Sequence, residues 1–315
     1  MPHLFLTGGS GYIGSVLTTH ALSKNYTVHS LSRTPTSDIK IRSLGAVPIR
    51  GDLGSLDILR TQAQQADIVI HLADPMSGNY ALPYTERIAI DDAAVRAIAD
   101  GMAGRSDTQR KTLVVTSGSL VVAATGQETD ETSALWETPL NERIESERRN
   151  LGVRGRGVRV CVVRLAPWVY GGGGESGVGL FMRMFMGMGE VLVIGDGGGR
   201  TAAVHVEDAA RLFLLVAERA EDGEVFNGCA EWGVTFGELG RAMAEVLGVR
   251  VGVVGVEEAV ERWGFLGRFW STENRASGGK AMRVLGWKPE RVGILEDVRR
   301  GSYVELAERL KRGEA

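Results

Sequence analysis

The sequence predicts an α/β protein with a doubly wound parallel sheet and a smaller C-terminal lobe. From residue 3 to about residue 164, a short apolar run, a Gly or polar turn and a helical stretch recur as one unit. Most of the runs are apolar throughout, as strands covered by helices on both faces must be, and strands that alternate with helices form parallel sheets. The predicted strands are 3–7, 26–31, 46–49, 67–72, 113–116 and 158–164.

Composition excludes several classes of protein. The 315 residues are 43% hydrophobic and 24% charged, which is typical of a folded globular chain. The formal charge of −3 leaves no broad cationic face for a nucleic acid. Cys161 and Cys229 lie far apart and lack metal-ligand spacing, which argues against a zinc site or disulfides and favours a reducing compartment. With neither a leader-like N-terminus nor a run of roughly 20 apolar residues, we expect a cytoplasmic protein without metal, membrane or nucleic-acid partners.

A glycine-rich turn carries the first functional signal. The first strand runs into TGGSGYIG at positions 7–14, and a helix is predicted from near Ser15. A pyrophosphate bound at a helix N-terminus must approach backbone N–H groups, and side chains at positions 8 and 11 would obstruct that approach. The preceding strand and following helix favour a Rossmann-type dinucleotide site over a purely structural turn. The expected cofactor contacts here are Gly8, Gly11, Tyr12, Ile13 and Gly14.

The repeating unit ends after Arg164, and this change divides the chain. Residues 1–170 are expected to form an NAD(P)-binding Rossmann domain, with later segments such as 200–230 returning to it. Residues 171–315 are expected to form mainly a substrate-binding lobe, in which the Met- and Phe-rich stretch 181–188 is interpreted as adaptable core or pocket wall. Further helices are predicted at 206–220, 236–247, 257–263 and 293–310, and strands at 191–194 and 224–227.

The end of the second strand indicates which nicotinamide cofactor binds. An acidic residue there would accept hydrogen bonds from the ribose of NAD, whereas this chain has Ser32 and Arg33. A hydroxyl and a guanidinium suit a 2′-phosphate, so we expect NADP rather than NAD; the alternative is an ordinary solvated arginine. Asp52 and Leu53 follow the third strand, where the carboxylate is expected either to accept from the adenine or to cap a helix.

Several segments together resemble the extended short-chain dehydrogenase/reductase superfamily of NAD(P)-dependent epimerases, dehydratases and reductases. The resemblance spans nearly the whole chain and keeps the order of the motifs. It implies cofactor contacts at Leu72, Ala73, Thr116, Pro167 and Val169 in addition to those above. The matching segments are TGGSGYIG (7–14), GDL (51–53), HLA (71–73), TS (116–117), RLAPWVYG (164–171), VHVEDAA (204–210) and LGWKP (285–289).

The superfamily's catalytic Y-x-x-x-K pair is absent from this chain. No tyrosine occurs between Tyr84 and Tyr170. An alignment on Glu147 puts Pro139 at the tyrosine position and Arg143 at the lysine position. Arg143 can donate to the cofactor ribose as the lysine does, but its pKa above roughly 12 excludes it from proton exchange near neutrality. The sequence therefore resembles an atypical branch with altered proton-transfer residues.

The usual catalytic hydroxyl of the superfamily falls at Gly118, so the proton donor must be sought nearby. Ser117 and Ser119 flank this glycine, and Tyr170 ends the strand region that passes the nicotinamide. Ser119 reads equally as a turn residue, and Tyr170 as a packing residue. His71 and His205 read first as structural, and Arg200 as either an anion contact or a loop anchor. Residues that could border the pocket are Tyr80, Tyr84, Trp136, Trp168 and 182–188.

Three functions are compatible with these observations. The first is an NADP-dependent reductase of a carbonyl on a mid-sized, fairly apolar metabolite, with Ser117, Ser119, Tyr170 or water supplying the proton. The second is a redox-neutral epimerase, isomerase or lyase, and the third is a non-catalytic NADP(H)-binding sensor. Because fold does not select among them, the choice depends on the site. A two-fold dimer is the default assembly expected for such a chain.

Overall fold

A computed structural model describes residues 1–75, 82–103, 111–155, 157–173 and 176–314. It confirms the α/β class, because strands and helices alternate along the first part of the chain. The strands are β1 (His3–Thr7), β2 (Thr27–Ser32), β3 (Val47–Arg50), β4 (Ile68–His71), β5 (Lys111–Gly118), β6 (Val158–Leu165), β7 (Trp168–Tyr170), β8 (Glu190–Ile194), β9 (Arg200–His205), β10 (Val225–Gly228), β11 (Glu231–Thr235) and β12 (Arg250–Val254).

The helices cover both faces of the main sheet and build the second lobe. A single turn of 3-10 helix, Ser119–Val121, follows β5. The α-helices are α1 (Tyr12–Ser23), α2 (Pro35–Ser43), α3 (Leu56–Gln65), α4 (Tyr84–Met102), α5 (Arg143–Leu151), α6 (Gly177–Met188), α7 (Val206–Arg219), α8 (Phe236–Leu247), α9 (Val256–Trp263), α10 (Phe265–Ser271), α11 (Gly279–Leu285), α12 (Ile294–Arg300) and α13 (Tyr303–Lys311).

The main sheet has seven parallel strands in the order β10-β6-β5-β4-β1-β2-β3. Helices α1 and α7 contribute to the apolar core on one face, and α3 and α4 to the core on the other. Strand β10 lies in this sheet although it follows β8 and β9 in the chain. From β1 the chain runs outward to β2 and β3 and then crosses to β4 on the other side of β1, and this reversal of strand order opens a crevice at the carboxyl ends of β1 and β4.

The second lobe has a closed aromatic core of its own. Its strands form a three-stranded sheet, β11-β9-β7, and a parallel pair, β12-β8. The Met- and Phe-rich stretch lies in α6, where Phe181, Met182 and Phe185 are fully buried. The ring of Phe181 stacks on Trp270 at 4.7 Å between centroids, and Trp168 meets Trp270 edge-on at 5.4 Å. These buried side chains belong to the core, which agrees with the interpretation of the 181–188 stretch as core rather than as pocket wall.

Helix α5 is held to the sheet by a buried ion pair. The Arg164 guanidinium donates from Nη2 to Glu147 Oε1 at 2.6 Å and from Nε to Oε2 at 3.0 Å. Both side chains are 5% exposed. Arg164 lies on β6 and Glu147 in the second turn of α5, so this pair fixes where the first residue of α5, Arg143, stands relative to the sheet. Pro139 precedes the helix and lies in an irregular segment.

We expect Glu147→Ala to lower the free energy of unfolding by about 3 to 5 kcal/mol, because it leaves the Arg164 charge buried without its partner. Glu145→Ala, on the same helix, removes an exposed pair with Arg148 and should cost less than about 1 kcal/mol. Urea unfolding of both variants measures the difference. Equal losses of stability would contradict a structural role for the buried pair.

Candidate functional site

A cleft of about 560 Å³ lies at the carboxyl ends of β1 and β4, where the topology predicts a ligand site. It is lined by the glycine-rich turn, the ends of β2 and β4, the turn after β3, and single residues from β5 and β6. Most of the predicted cofactor contacts therefore face one space. Those that line the cleft are Gly8, Gly11, Tyr12, Ile13, Gly14, Arg33, Asp52, Leu53, Leu72, Ala73 and Thr116.

The glycine-rich turn has the geometry that a pyrophosphate requires. Gly8 has φ +79°, and a Cβ there would lie 2.9 Å from the Ala73 nitrogen. Gly11 precedes α1 without a side-chain cap, so the N–H groups of the first helical turn are not satisfied by a capping side chain. The nearest atom to a Cβ at Gly11 is the Gly8 oxygen at 3.1 Å, whereas a Cβ at Gly14 would lie 2.1 Å from that oxygen. The turn fits an anion at the helix N-terminus, and Gly14 serves its packing.

At the end of β2, the two predicted residues have different surroundings. Arg33 is exposed and lines the cleft together with Ser37 in the first turns of α2. Ser32 is buried, its hydroxyl donates to the Thr34 carbonyl at 3.3 Å, and it does not line the cleft. The Ser32 hydroxyl is thus directed to its own turn, and a contact of Ser32 with the cofactor stays a prediction. Arg33 remains the candidate for the 2′-position.

Asp52 lines the cleft and also stabilises its own turn. Its Oδ1 accepts from the Gly54 N–H at 3.0 Å and from the Ser55 hydroxyl at 2.9 Å. Helix α3 begins directly after Ser55. Asp52 thus stabilises the turn before α3, whose N-cap is Ser55, and an adenine contact from Asp52 stays a prediction.

A chain of hydrogen bonds leads from the glycine-rich turn to α4. The Thr7 hydroxyl oxygen accepts from the Leu72 and Ala73 N–H groups at 3.2 and 3.1 Å, so its own proton is directed to His71 Nδ1 at 2.9 Å. With Nδ1 accepting, His71 carries its proton on Nε2, which donates to Asp91 Oδ1 at 3.0 Å. His71 is thus a buried hydrogen-bonded link between β4 and α4, which agrees with its structural interpretation.

A smaller cavity adjoins the cleft at Leu72, Ala73, Asp74, Pro75 and Thr116. Charged side chains form much of the rest of its wall. Arg87 is ion-paired with Asp74, and Arg143 Nη2 lies 3.9 Å from the same carboxylate. The other residues that line it are His71, Arg87, Ile88, Asp91 and Arg143.

Charge and burial act in opposite directions on Asp91. Burial raises the pKa of its carboxyl, but the hydrogen bond and charge of His71, the charge of Arg143 and a hydrogen bond from Asn150 lower it further, so the net pKa is below the usual range. Asp91 is therefore a carboxylate at neutral pH and acts as an acceptor. Sequence reasoning missed Asp74, Arg87 and Asp91, although the last two stand four residues apart on one helix face.

Neither predicted serine reaches this site. Ser117 is buried, lines neither cavity, and its hydroxyl has no hydrogen-bond partner among the described residues. Ser119 is fully buried, and its hydroxyl donates to Asn274 Oδ1 at 2.9 Å while Asn274 donates back to the Ser119 carbonyl. Both proton-donor roles stay predictions, and the structure places neither hydroxyl in the wall of either cavity. On β5, Thr116 faces the cleft, so its neighbour Ser117 points to the opposite face of the sheet.

Tyr170 is also placed away from the cleft. It is 1% exposed, and its hydroxyl contacts Glu231 Oε1 at 3.0 Å and the Val292 carbonyl at 2.7 Å. Burial and the nearby Glu231 carboxylate raise the pKa of its phenol above the usual range. This hydroxyl is bonded within the second lobe and lines neither cavity, and its role as a proton donor stays a prediction. The packing interpretation holds.

The remaining candidates are structural or stay predictions. Arg200 donates to the Gly233 carbonyl at 2.9 Å, and His205 Nδ1 accepts from the Glu207 N–H at 3.2 Å as the cap of α7. Pro167 and Val169 are half-buried and do not line either cavity, so their contact with cofactor stays a prediction. Tyr80 lies outside the described residues. Across the described ranges, no helix is long and apolar enough to cross a membrane, and no cluster of potential metal ligands is found.

Comparisons with known proteins agree with the fold and the cleft. The model of the NAD dependent epimerase/dehydratase family matches residues 4–229, and the chain belongs to that family. It is an enzyme of the short-chain dehydrogenase/reductase type, as the sequence motifs imply.

Individual relatives cover most of the chain. An uncharacterized protein of Schizosaccharomyces pombe is 31% identical over 300 residues, 95% of this chain and 99% of its own. A ceramide reductase of Caulobacter vibrioides is 25% identical over 93% of this chain and 88% of its own. The structure of DesIV, a dTDP-glucose 4,6-dehydratase from Streptomyces venezuelae with NAD and TYD bound, superposes with a TM-score of 0.76 at 20% identity, covering 98% of each chain.

We expect Gly11→Val to abolish binding of NADPH and NADH while the protein stays folded. The backbone conformation of Gly11 (φ −75°, ψ −179°) is accessible to valine, but the added side chain would occupy the space at the helix N-terminus that a pyrophosphate needs. Gly14→Ala should instead lower stability, by about 1 to 3 kcal/mol, since its Cβ would overlap the turn.

Thermal melting without cofactor and calorimetric titration with each cofactor separate the two effects. Retained binding by a folded Gly11→Val variant would mean that this glycine is structural only.

Proposed function

We propose that the protein is an NADP-dependent reductase of a carbonyl on a mid-sized, fairly apolar metabolite. The observation that carries the proposal is the continuity of two spaces. The cleft with the uncapped helix N-terminus shares the wall formed by Leu72–Pro75 and Thr116 with the charged cavity that Arg143 lines. A cofactor that lies across the cleft would place its reactive end beside this cavity, and a reduced nicotinamide bound there supplies a hydride.

The proposal assigns the following roles in cofactor binding to residues of this chain. The N–H groups at the start of α1 hold the pyrophosphate, and Arg33 pairs with the 2′-phosphate. Arg143 stands where the superfamily has its lysine, and donates to the ribose hydroxyls. The bonds from Thr7 to His71 and on to Asp91 hold the glycine-rich turn, β4 and α4 in register around the cofactor.

The substrate class is supported by relatives rather than by the second lobe. The aromatic side chains of α6 and α10 are largely engaged in a closed core, so they do not define an apolar pocket. The walls of the cleft are more apolar than polar, and one relative is named a ceramide reductase. These two observations favour an apolar carbonyl substrate.

A redox-neutral reaction is the second candidate, because the family model includes epimerases and dehydratases. The test is single-turnover oxidation of NADPH with a panel of aldehydes and ketones of increasing apolar length. Oxidation that depends on the carbonyl compound supports the reductase. If NADPH binds and no carbonyl is reduced, the reductase is excluded. Conversion of a substrate without net oxidation of the cofactor would then show that the protein is a redox-neutral enzyme and not a sensor.

The structure generates a prediction on cofactor selectivity. Arg33→Ala should weaken NADPH about tenfold or more, as expected for loss of a charge-assisted contact of about 1.5 to 3 kcal/mol, and leave NADH nearly unchanged. Arg42 is an exposed arginine on α2 that does not line the cleft, so Arg42→Ala is the matched control for loss of charge. Calorimetry on both variants measures the affinities. Equal affinities of the parent protein for NADPH and NADH would contradict the assignment of NADP.

A further inference from the structure

The end of the cleft beside β2 and β3 presents one cation and one hydroxyl. Arg33 directly follows β2 and is exposed, and Ser37 lies in the first turn of α2 and is half-buried; both line the cleft. Leucine and glycine have no side-chain donor, and a carboxylate accepts hydrogen bonds. Arg33 and Ser37 are therefore the side-chain donors at this end, among the described residues. The other residues that line it are Leu31, Asp52, Leu53 and Gly54.

The hydrogen bonds of Ser37 leave its own proton for a ligand. Its Oγ accepts from the Thr34 hydroxyl at 3.0 Å, and its N–H donates to Thr34 Oγ1 at 3.1 Å, which caps α2. A serine hydroxyl has one proton to donate besides the bonds that it accepts. Within the described ranges this proton has no acceptor, and Ser37 lines the cleft, where a bound anion would accept it.

The serine that precedes Arg33 is bonded differently. The Ser32 hydroxyl donates to the Thr34 carbonyl at 3.3 Å, and Ser32 does not line the cleft. Thr34 thus accepts the proton of Ser32 through its carbonyl, whereas its hydroxyl donates to the oxygen of Ser37. The hydroxyl that lines this end of the cleft therefore comes from α2 and not from β2.

The charges around Ser37 favour an anionic ligand. Asp38, the next residue of α2, is ion-paired with Arg50 at the end of β3, so its negative charge is compensated within the fold. Arg33 makes no ion pair with the part of the chain that the structure describes. A guanidinium and a hydroxyl that both have donors to spare bind a phosphate through charge-assisted hydrogen bonds.

We propose that Ser37 is a specificity-determining residue whose hydroxyl donates to the 2′-phosphate of NADP, while Arg33 pairs with the same phosphate. This inference rests on the proposed use of NADP, and it adds a second contact to the group that distinguishes this cofactor from NAD. A hydrogen bond to a charged phosphate is roughly twice as strong as one to the neutral 2′-hydroxyl of NAD. Ser37 therefore raises the affinity for NADPH more than that for NADH.

The primary test is Ser37→Ala, which removes the hydroxyl and keeps the backbone N–H that bonds to Thr34. In calorimetric titrations of the full chain, we expect NADPH to bind about fivefold to tenfold more weakly, the loss typical of one hydrogen bond to a charged group. The affinity for NADH should change less than about twofold. Ser43→Ala is the matched control, because the Ser43 hydroxyl donates to the Lys40 carbonyl at 2.7 Å on the same helix and does not line the cleft.

A second readout isolates the 2′-phosphate from the rest of the cofactor. Adenosine 2′,5′-bisphosphate and adenosine 5′-monophosphate differ by this one group. Ser37→Ala should weaken binding of the bisphosphate by the same factor as NADPH and leave binding of the monophosphate unchanged. Ser37→Thr keeps a hydroxyl at this position and should recover most of the loss.

Ser37→Asp tests the same position in the opposite direction. A carboxylate repels a 2′-phosphate and accepts from a ribose 2′-hydroxyl. NADPH should therefore lose more affinity than in Ser37→Ala, while NADH binds at least as tightly as to the parent. A Ser37→Asp variant that melts like the parent and keeps the parent's preference for NADPH would place Ser37 away from the 2′-position and overturn the proposal.

The outcomes distinguish this inference from the cofactor assignment on which it rests. If the parent binds NADPH and NADH equally, the assignment of NADP fails and the role of Ser37 fails with it. If the parent prefers NADPH, and Arg33→Ala loses this preference while Ser37→Ala keeps it, the inference is wrong and NADP stands. Equal weakening of both cofactors in Ser37→Ala would show that Ser37 shapes the turn without binding the phosphate. A selective loss of NADPH and of the bisphosphate supports the proposal.

Discussion

The hydroxyl of Thr7 joins the two strand ends between which the cleft opens. It accepts from the backbone of Leu72 and Ala73 after β4, and it donates to His71. Strands β1 and β4 are neighbours in the sheet, at the position where the strand order reverses. The bonds of Thr7 therefore set the distance between the two strand ends that border the crevice. Gly8 must then pass close to Ala73, which excludes a side chain at that position. The anion site at the start of α1 and the charged cavity beside it both depend on this junction.

The sequence predicted most of the fold because the main sheet is encoded locally. Strand β1 and helix α8 have the predicted bounds, and α8 is marked by a capping box between Thr235 and Glu238. The predicted helix 293–310 is instead two helices, because the chain turns at Gly301, where Asp297 accepts from the Ser302 N–H and hydroxyl. The short strands β7, β9 and β11 were missed, since three to six residues carry too little periodicity.

The candidate site was predictable only where backbone geometry defines it. The glycine-rich turn and Arg33 follow from motif position, and they line the cleft. Ser117 does not line the cleft, because a strand alternates its side chains between its two faces and Thr116 is the residue of β5 that faces the cleft. Tyr84, Arg87 and Asp91 lie on one helical face, but the sequence does not state which face of α4 meets α5.

Helices α4 and α5 both border the smaller cavity, so its shape depends on how the two helices are held. Helix α4 is tied to β4 through His71 and Asp91, and α5 is tied to β6 through Glu147 and Arg164. The two helices are joined directly, since Asp92 of α4 accepts from Ser146 at 3.2 Å and is ion-paired with Arg149 of α5. Most of the partners in these contacts are buried, and such pairs resist small displacements because a broken partner would be left desolvated. Arg87 and Asp91 of α4 are therefore held in defined positions relative to Arg143 of α5 around the smaller cavity.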